Sequence, residues 1–294
     1  MNEFVHKQTL AGLERFEQEV QKSAKDPKDA EAIHDLRVSM RRFSQCIEMF
    51  AGFIDPAAVG KVQKKMKRLM NRCGAVRNCD ITLDLLKVVK VADDSRSVRA
   101  VTKQRDDAEQ ALTKQLKRWS GKDLKKDWSE KLFVDHDGDL NLDPDLRTWT
   151  KEWFARGRLA AAPGSTHHAM HQFRLEVKRF RYTIELLQPF YGTHAAEPII
   201  EGLRELQTCL GEMNDCVSAL DLLEDFPKPS RAIRKLLTQR EQAIRSLWKE
   251  KFGVRRQTEW ISIFSATAKP SPAQRPSRKP AASSRKKAAA MSAA

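Results

Sequence analysis

The residues with the most chemical potential are basic, and they come in two matching sets. His34, Arg37, Arg41 and Arg42 recur later in the chain as His171, Arg174, Lys178 and Arg179, in the same order and with the same spacing. Guanidinium groups bind oxyanions through paired N–H donors, an ammonium adds a point charge, and imidazole can donate or accept beside them. This is equipment for holding an anion. Breaking bonds would need more, and the chain has no glycine-rich phosphate loop, no GxSxG, no HExxH and no convincing nucleophile beside a base. A tunnel that holds Mg²⁺ around a triphosphate would need several acids alternating along strands, and neither the strands nor the alternation is offered.

Helices must position these side chains. Residues 33–50 read IHDLRVSMRRFSQCIEMF and residues 170–187 read MHQFRLEVKRFRYTIELL. At about 100° per residue, Ile33, Leu36, Met40, Phe43, Ile47 and Phe50 gather on one side, while His34, Arg37 and Arg41 gather on another. The second copy separates Met170, Phe173, Val177, Phe180, Ile184 and Leu187 from His171, Arg174, Lys178 and Arg181 in the same way. The constant offset continues through Leu69/Leu206, Gly74/Gly211 and Cys79/Cys216, so whole multi-helix units are repeated.

More cations follow each basic helix. Lys61, Lys65, Arg68 and Arg72 are three or four residues apart and form a stripe on the next helix, with Arg77 just beyond it. Ser-Arg-x-x-Arg occurs twice, placing Arg96 and Arg99, then Arg231 and Arg234, at helix starts whose dipole favours anions, and Arg105 and Arg240 match further along. All of these are candidate phosphate contacts. Glu48 and Glu185 are expected to pair with basic residues that would otherwise repel one another. In the second copy Glu201, Arg204 and Glu205 replace Lys64, Lys67 and Arg68, so the first half is expected to hold an anion more strongly.

With these residues in view, the chain resembles the CHAD family over roughly residues 1–260. The resemblance rests on His-x-x-Arg-x-x-x-Arg/Lys-Arg-Phe given twice on amphipathic helices. It implies two pseudo-symmetric helical bundles around a basic cavity that binds inorganic polyphosphate. One departure stands out, because CHAD-like sequences commonly carry an Arg/Asn-Asp pair where this first copy has Arg77-Asn78; the second copy has Asn214-Asp215.

Composition agrees with a polyanionic partner. The formal net charge is +15, which suits nucleic acid, polyphosphate or an anionic membrane surface. Residues 269–294 hold seven Lys and Arg and no acid, which leaves the body basic as well. The five cysteines fall inside apolar helical patterns, and no apolar run approaches the ~18 residues of a membrane span, so a cytoplasmic protein without membrane insertion is expected.

The expected architecture is all-α, with helices at 3–23, from Asp29 to near Gly52, and at 57–73, 74–91, 95–119, 145–161, 167–188 and 199–210. Residues 1–120 form the first half, 121–145 a connector, 146–262 the second half, and 263–294 a disordered basic tail rich in Ala, Pro and Lys. The connector's DHDGD resembles part of a calcium loop but lacks the closing glutamate, and a turn is the better reading. For His34 and His171, phosphate binding, a structural hydrogen bond, and a metal site shared with His167 or His168 all remain open. The functional expectation is non-catalytic binding of polyphosphate, without a cofactor, at polyphosphate granules. The alternatives are a nucleic-acid-binding protein that uses body and tail, and a phosphate-chain enzyme.

Overall fold

Helix starts are fixed by caps. Asp29 accepts the backbone N–H groups of Glu31 and Ala32 at 2.9 and 3.2 Å and so opens α2 (Ala30–Met49). Asp55 accepts from Ala57 at 2.9 Å and opens α3 (Pro56–Val88), with Pro56 in the first turn, where its missing N–H has no partner to lose. Ser95 caps α4 (Arg96–Ser120) through the Val98 N–H at 3.3 Å. The computed structural model describes residues 3–132, 146–191 and 193–266. The remaining helices are α1 (Glu3–Lys25), α5 (Leu124–Leu132), α6 (Leu146–Ala160), α7 (His167–Tyr191), α8 (Thr193–Leu222), α9 (Pro227–Lys251) and α10 (Val254–Ala266). The fold is all-α.

The apolar faces close two cores. In the first, the rings of Phe16, Phe43 and Trp128 stack with centroids 5.8–6.2 Å apart, over a bed that includes Leu13, Leu36, Met66 and Leu69. In the second, Trp153 lies against Phe173, Phe180, Trp248, Phe252 and Trp260 at 5.2–5.9 Å. Phe43 and Phe180, which match in the two sequence copies, both sit fully buried at these centres. Burying such a ring is worth roughly 1.5–3 kcal/mol, with somewhat more for aromatic geometry. This fixes the apolar side of α2 and α7 and leaves their basic sides to face elsewhere.

Several elements run differently from the expectation. No break occurs at Gly74 or Gly211, since α3 and α8 continue through them for 33 and 30 residues. Glycine keeps its N–H, so it weakens a helix by about 1 kcal/mol without ending it. The far end of α3 (Cys79, Leu85, Leu86) and Val101 of α4 pack into the second core, so the two halves share helices across their boundary. Pro189 and Pro198 lie inside α7 and α8. The first part of the expected connector is α5, which buries Leu124, Trp128 and Leu132 at i, i+4, i+8 spacing in the first core. The chain also stays helical past 262, with Phe264 buried in α10. The DHDGD stretch and the tail from 267 lie outside the described residues.

Candidate anion-binding site

Two helix pairs meet between the cores, α2 against α7 and α3 against α8. Where they meet, the sequence-matched cations converge. Arg37 and Arg41 of α2 and Arg174 and Lys178 of α7 stand close enough that each arginine depresses the proton affinity of another member, and all three depress that of Lys178. Arg77 of α3 belongs to the same cluster, acting on both Arg37 and Asp215.

Each member is held in a particular way. Arg37 donates from Nη1 to the Met70 carbonyl at 3.4 Å, and its guanidinium occupies the space where a side chain on Gly74 would begin, 2.9 Å from that Cβ position. Gly74 is thus explained by a neighbour on another helix. Arg174 has a buried Nε with no acceptor. Lys178 is 8% exposed and makes no hydrogen bond or ion pair among the described residues.

Burial and crowding shift these groups in one direction. Desolvation, with Arg41, Arg174 and Arg37 around it, holds Lys178 down to about 6 from its ordinary 10.5. Keeping it protonated there costs on the order of 6 kcal/mol relative to water. Arg37 is lowered to about 10 by burial and by Arg41, and Arg174 is lowered by the same two causes. Asp215 of α8 opposes the cations, its own burial pushing its pKa up against the pull of Arg174, Arg240, Arg77 and Lys178. The cluster is therefore a half-buried group of cations whose positive charge Asp215 offsets only in part, and such a place gains more from a polyanion than an exposed patch does.

The remaining candidates are distributed as follows. His171 approaches Asn214 Oδ1 with Nδ1 at 2.6 Å; a carbonyl oxygen only accepts, so Nδ1 carries the proton and Nε2 is left for another partner. His34 is exposed. His167 pairs with Glu241 at 2.5 Å. No group of three or more His, Cys, Asp or Glu side chains among the described residues could hold a metal ion.

Twelve candidates are not brought into the cluster. Arg42 reaches Glu185 at 3.4 Å and Arg179 reaches Glu48 at 3.1 Å, a reciprocal pair of bridges between matched residues of α2 and α7. Arg181 is tied to Glu185 at 2.8 Å and to Gln207 at 2.9 Å. These bridges clamp the seam, which is the role expected for the two glutamates. Arg105 is bound to Asp80 at 2.8 Å and to Glu109. Lys61, Lys65, Arg68 and Arg72 are exposed, roughly 120–180° round the α3 axis from Gly74, so the stripe looks away from Arg37. Arg96 and Arg99 are exposed in the first turn of α4, whereas α9 begins at Pro227, so Arg231 and Arg234 are exposed beyond its first turn and the second Ser-Arg-x-x-Arg does not mark a helix start. Arg240 takes a middle place, bonded to the Glu212 carbonyl and 3.2 Å from Cys216 Sγ while acting on Asp215.

Asp215 and Asn214 were not among the candidates, although the Asn-Asp pair itself is visible in the sequence. A cavity of about 460 Å³ opens on another side of the α2–α7 seam, lined by Arg42, Gln45, Tyr182, Glu185 and Arg204 among others. None of the crowded cations lines it.

The CHAD domain matches over residues 8–224. Among solved structures, PptA from Streptomyces chartreusis superposes with a TM-score of 0.57 at 13% identity, covering 89% of this chain and 98% of that one. The CHAD domain from the plant Ricinus communis superposes with a TM-score of 0.55 at 18% identity, covering 92% of this chain and 93% of that one. No curated protein matches.

Proposed function

Because the chain belongs to the CHAD domain family, which is associated with polyphosphate, we propose that it binds inorganic polyphosphate at the crowded cluster without cleaving or extending it. The observation that carries this reading is the convergence of Arg37, Arg41, Arg77, Arg174 and Lys178 near Asp215. A phosphate chain carries about one negative charge per phosphate and has no bases to read, so crowded guanidinium forks and an ammonium are sufficient to recognise it. Nucleic-acid binders of single strands add exposed aromatics for stacking. Here Phe43, Phe180, Trp153 and Trp260 are buried in the cores.

Bound polymer would place the protein at polyphosphate granules. The stripe of Lys61, Lys65, Arg68 and Arg72 gives the nucleic-acid alternative its best support, since it is exposed and basic. The test is equilibrium binding of long-chain polyphosphate against duplex DNA of matched charge at near-physiological salt, with polymer length followed in Mg²⁺ and Mn²⁺. The reading expects tighter binding of polyphosphate and unchanged chain length. Preference for DNA, or turnover that scales with protein through repurification, contradicts it.

A further inference from the structure

We propose that occupation of the cluster by a phosphate chain is coupled to uptake of one proton by the Lys178 amine, so that Lys178 tunes polyphosphate affinity to pH. This rests on the reading of the cluster as the polyphosphate site.

The surroundings of Lys178 carry the argument. Arg174 precedes it by one turn of α7, Arg37 and Arg41 of α2 lower its proton affinity through their charge, and Asp215 of α8 raises it. Arg77 of α3 and Arg240 of α9 also act on Asp215 through their charge. On its apolar side α7 meets α6 through Trp149 and Trp153, which pack on Phe180. The amine thus stands buried among guanidiniums with no acceptor among the described residues. A guanidinium stays charged at any working pH, so when cations are crowded out of water the lysine is the group that yields its proton.

In the free protein the amine is therefore neutral at pH 7.5 and above, its pKa having fallen to about 6. Phosphate oxygens reverse both causes of that state. They supply acceptors where there were none, and their negative charge offsets the arginines, so the ammonium becomes the stable form again. The balance is simple: the free amine and one proton from solvent become an ammonium held against phosphate. Above the free pKa and below the bound one, mass action makes affinity fall by about tenfold per pH unit. Asp215 alone would not give this signature at alkaline pH, because a carboxylate would have to be raised much further to titrate there.

Titration calorimetry of the full chain with long-chain polyphosphate at pH 8.5, in buffers of different ionisation enthalpy, reads the protons directly. The proposal expects about one proton taken up per protein bound, and affinity that falls as pH rises from 7.5 to 9. Lys178→Arg enters already charged, so it should bind with no uptake and a flatter pH dependence. Lys178→Met removes the titrating group without adding charge, and should bind at least ~10-fold more weakly with no uptake. Wild-type binding with no uptake overturns the proposal. So does uptake that survives in both variants, which would put the proton on a group other than Lys178. Failure of the wild type to bind at all would instead count against the polyphosphate reading.

Discussion

The two halves of the molecule keep the same apolar skeleton and divide the electrostatic work. Phe43 and Phe180 occupy matched core positions, and Arg42 and Arg179 make reciprocal bridges to Glu185 and Glu48. Around the cluster the halves differ. The first contributes Arg37, Arg41 and Arg77, all fixed charges. The second contributes Arg174, the titratable Lys178, and Asp215 in the place of Asn78. Further out, α3 carries exposed cations, whereas on α8 Glu205 is paired with Lys251 at 2.7 Å and Arg204 leans to Glu185 at 3.6 Å. Sequence-matched helices can therefore keep the same packing while the charges they carry differ.

The largest expected effect tests whether the cluster differs from the surface. Arg41→Glu with Lys178→Glu should weaken polyphosphate binding at least ~100-fold, since each charge-assisted contact is worth roughly 1.5–3 kcal/mol and the new carboxylates repel the chain. Arg68→Glu with Arg72→Glu, on the outer face of α3, should cost less than about tenfold. Equal losses would mean that attraction is diffuse.

Next in size is the pH dependence of stability, which separates the adjustable half from the constant one. Lys178 has a lower pKa folded than unfolded, so between about 6 and its ordinary 10.5 the unfolded chain binds the extra proton. Stability from this group should therefore rise with pH through that window, as read by denaturant unfolding. In Lys178→Met this rise should be reduced; an unchanged slope would remove Lys178 as its source.

A smaller contrast compares the cores. A Cβ on Gly157 would lie 2.0 Å from the Trp248 ring, whereas one on Gly12 would lie 3.2 Å from Phe43. Gly157→Ala should cost about 1–3 kcal/mol, and Gly12→Ala less. The smallest contrast concerns the matched glycines. Gly211 has nothing within 4 Å of its Cβ position, so Gly211→Ala should stabilise by about 0.5–1 kcal/mol and leave binding alone. Gly74→Ala must move the Arg37 guanidinium and should change polyphosphate affinity a few-fold.

Much of this was legible in the chain. Helical period identified both basic helices and put Phe43 and Phe180 inside, and the repeat pointed to Arg37, Arg41, Arg174 and Lys178 as partners. What period cannot tell is which face of one helix meets another. The stripe of Lys61, Lys65, Arg68 and Arg72 is regular in sequence, yet only the position of Arg37 against Gly74 shows that it looks outward. The same limit applies to Arg42, Arg179 and Arg181, whose glutamate partners lie across the α2–α7 seam or on its own helix turn. The helix at Leu124, Trp128 and Leu132 had an apolar spacing that could be read, but the surrounding lysines and glycine made it look like a connector.

The central claim is that uncompensated charge is kept in the cluster for a polyanion. It is tested most directly by melting temperature, for wild type and for Arg41→Glu with Lys178→Glu, each with and without long-chain polyphosphate. Binding to the folded state alone raises melting temperature by mass action. The account predicts that polymer raises it clearly for wild type, while the variant melts as high or higher without polymer and responds little to it. A variant that melts lower than wild type yet gains as much from polyphosphate would contradict the account, because the crowded cations would then be supporting the fold and the polymer would be bound elsewhere.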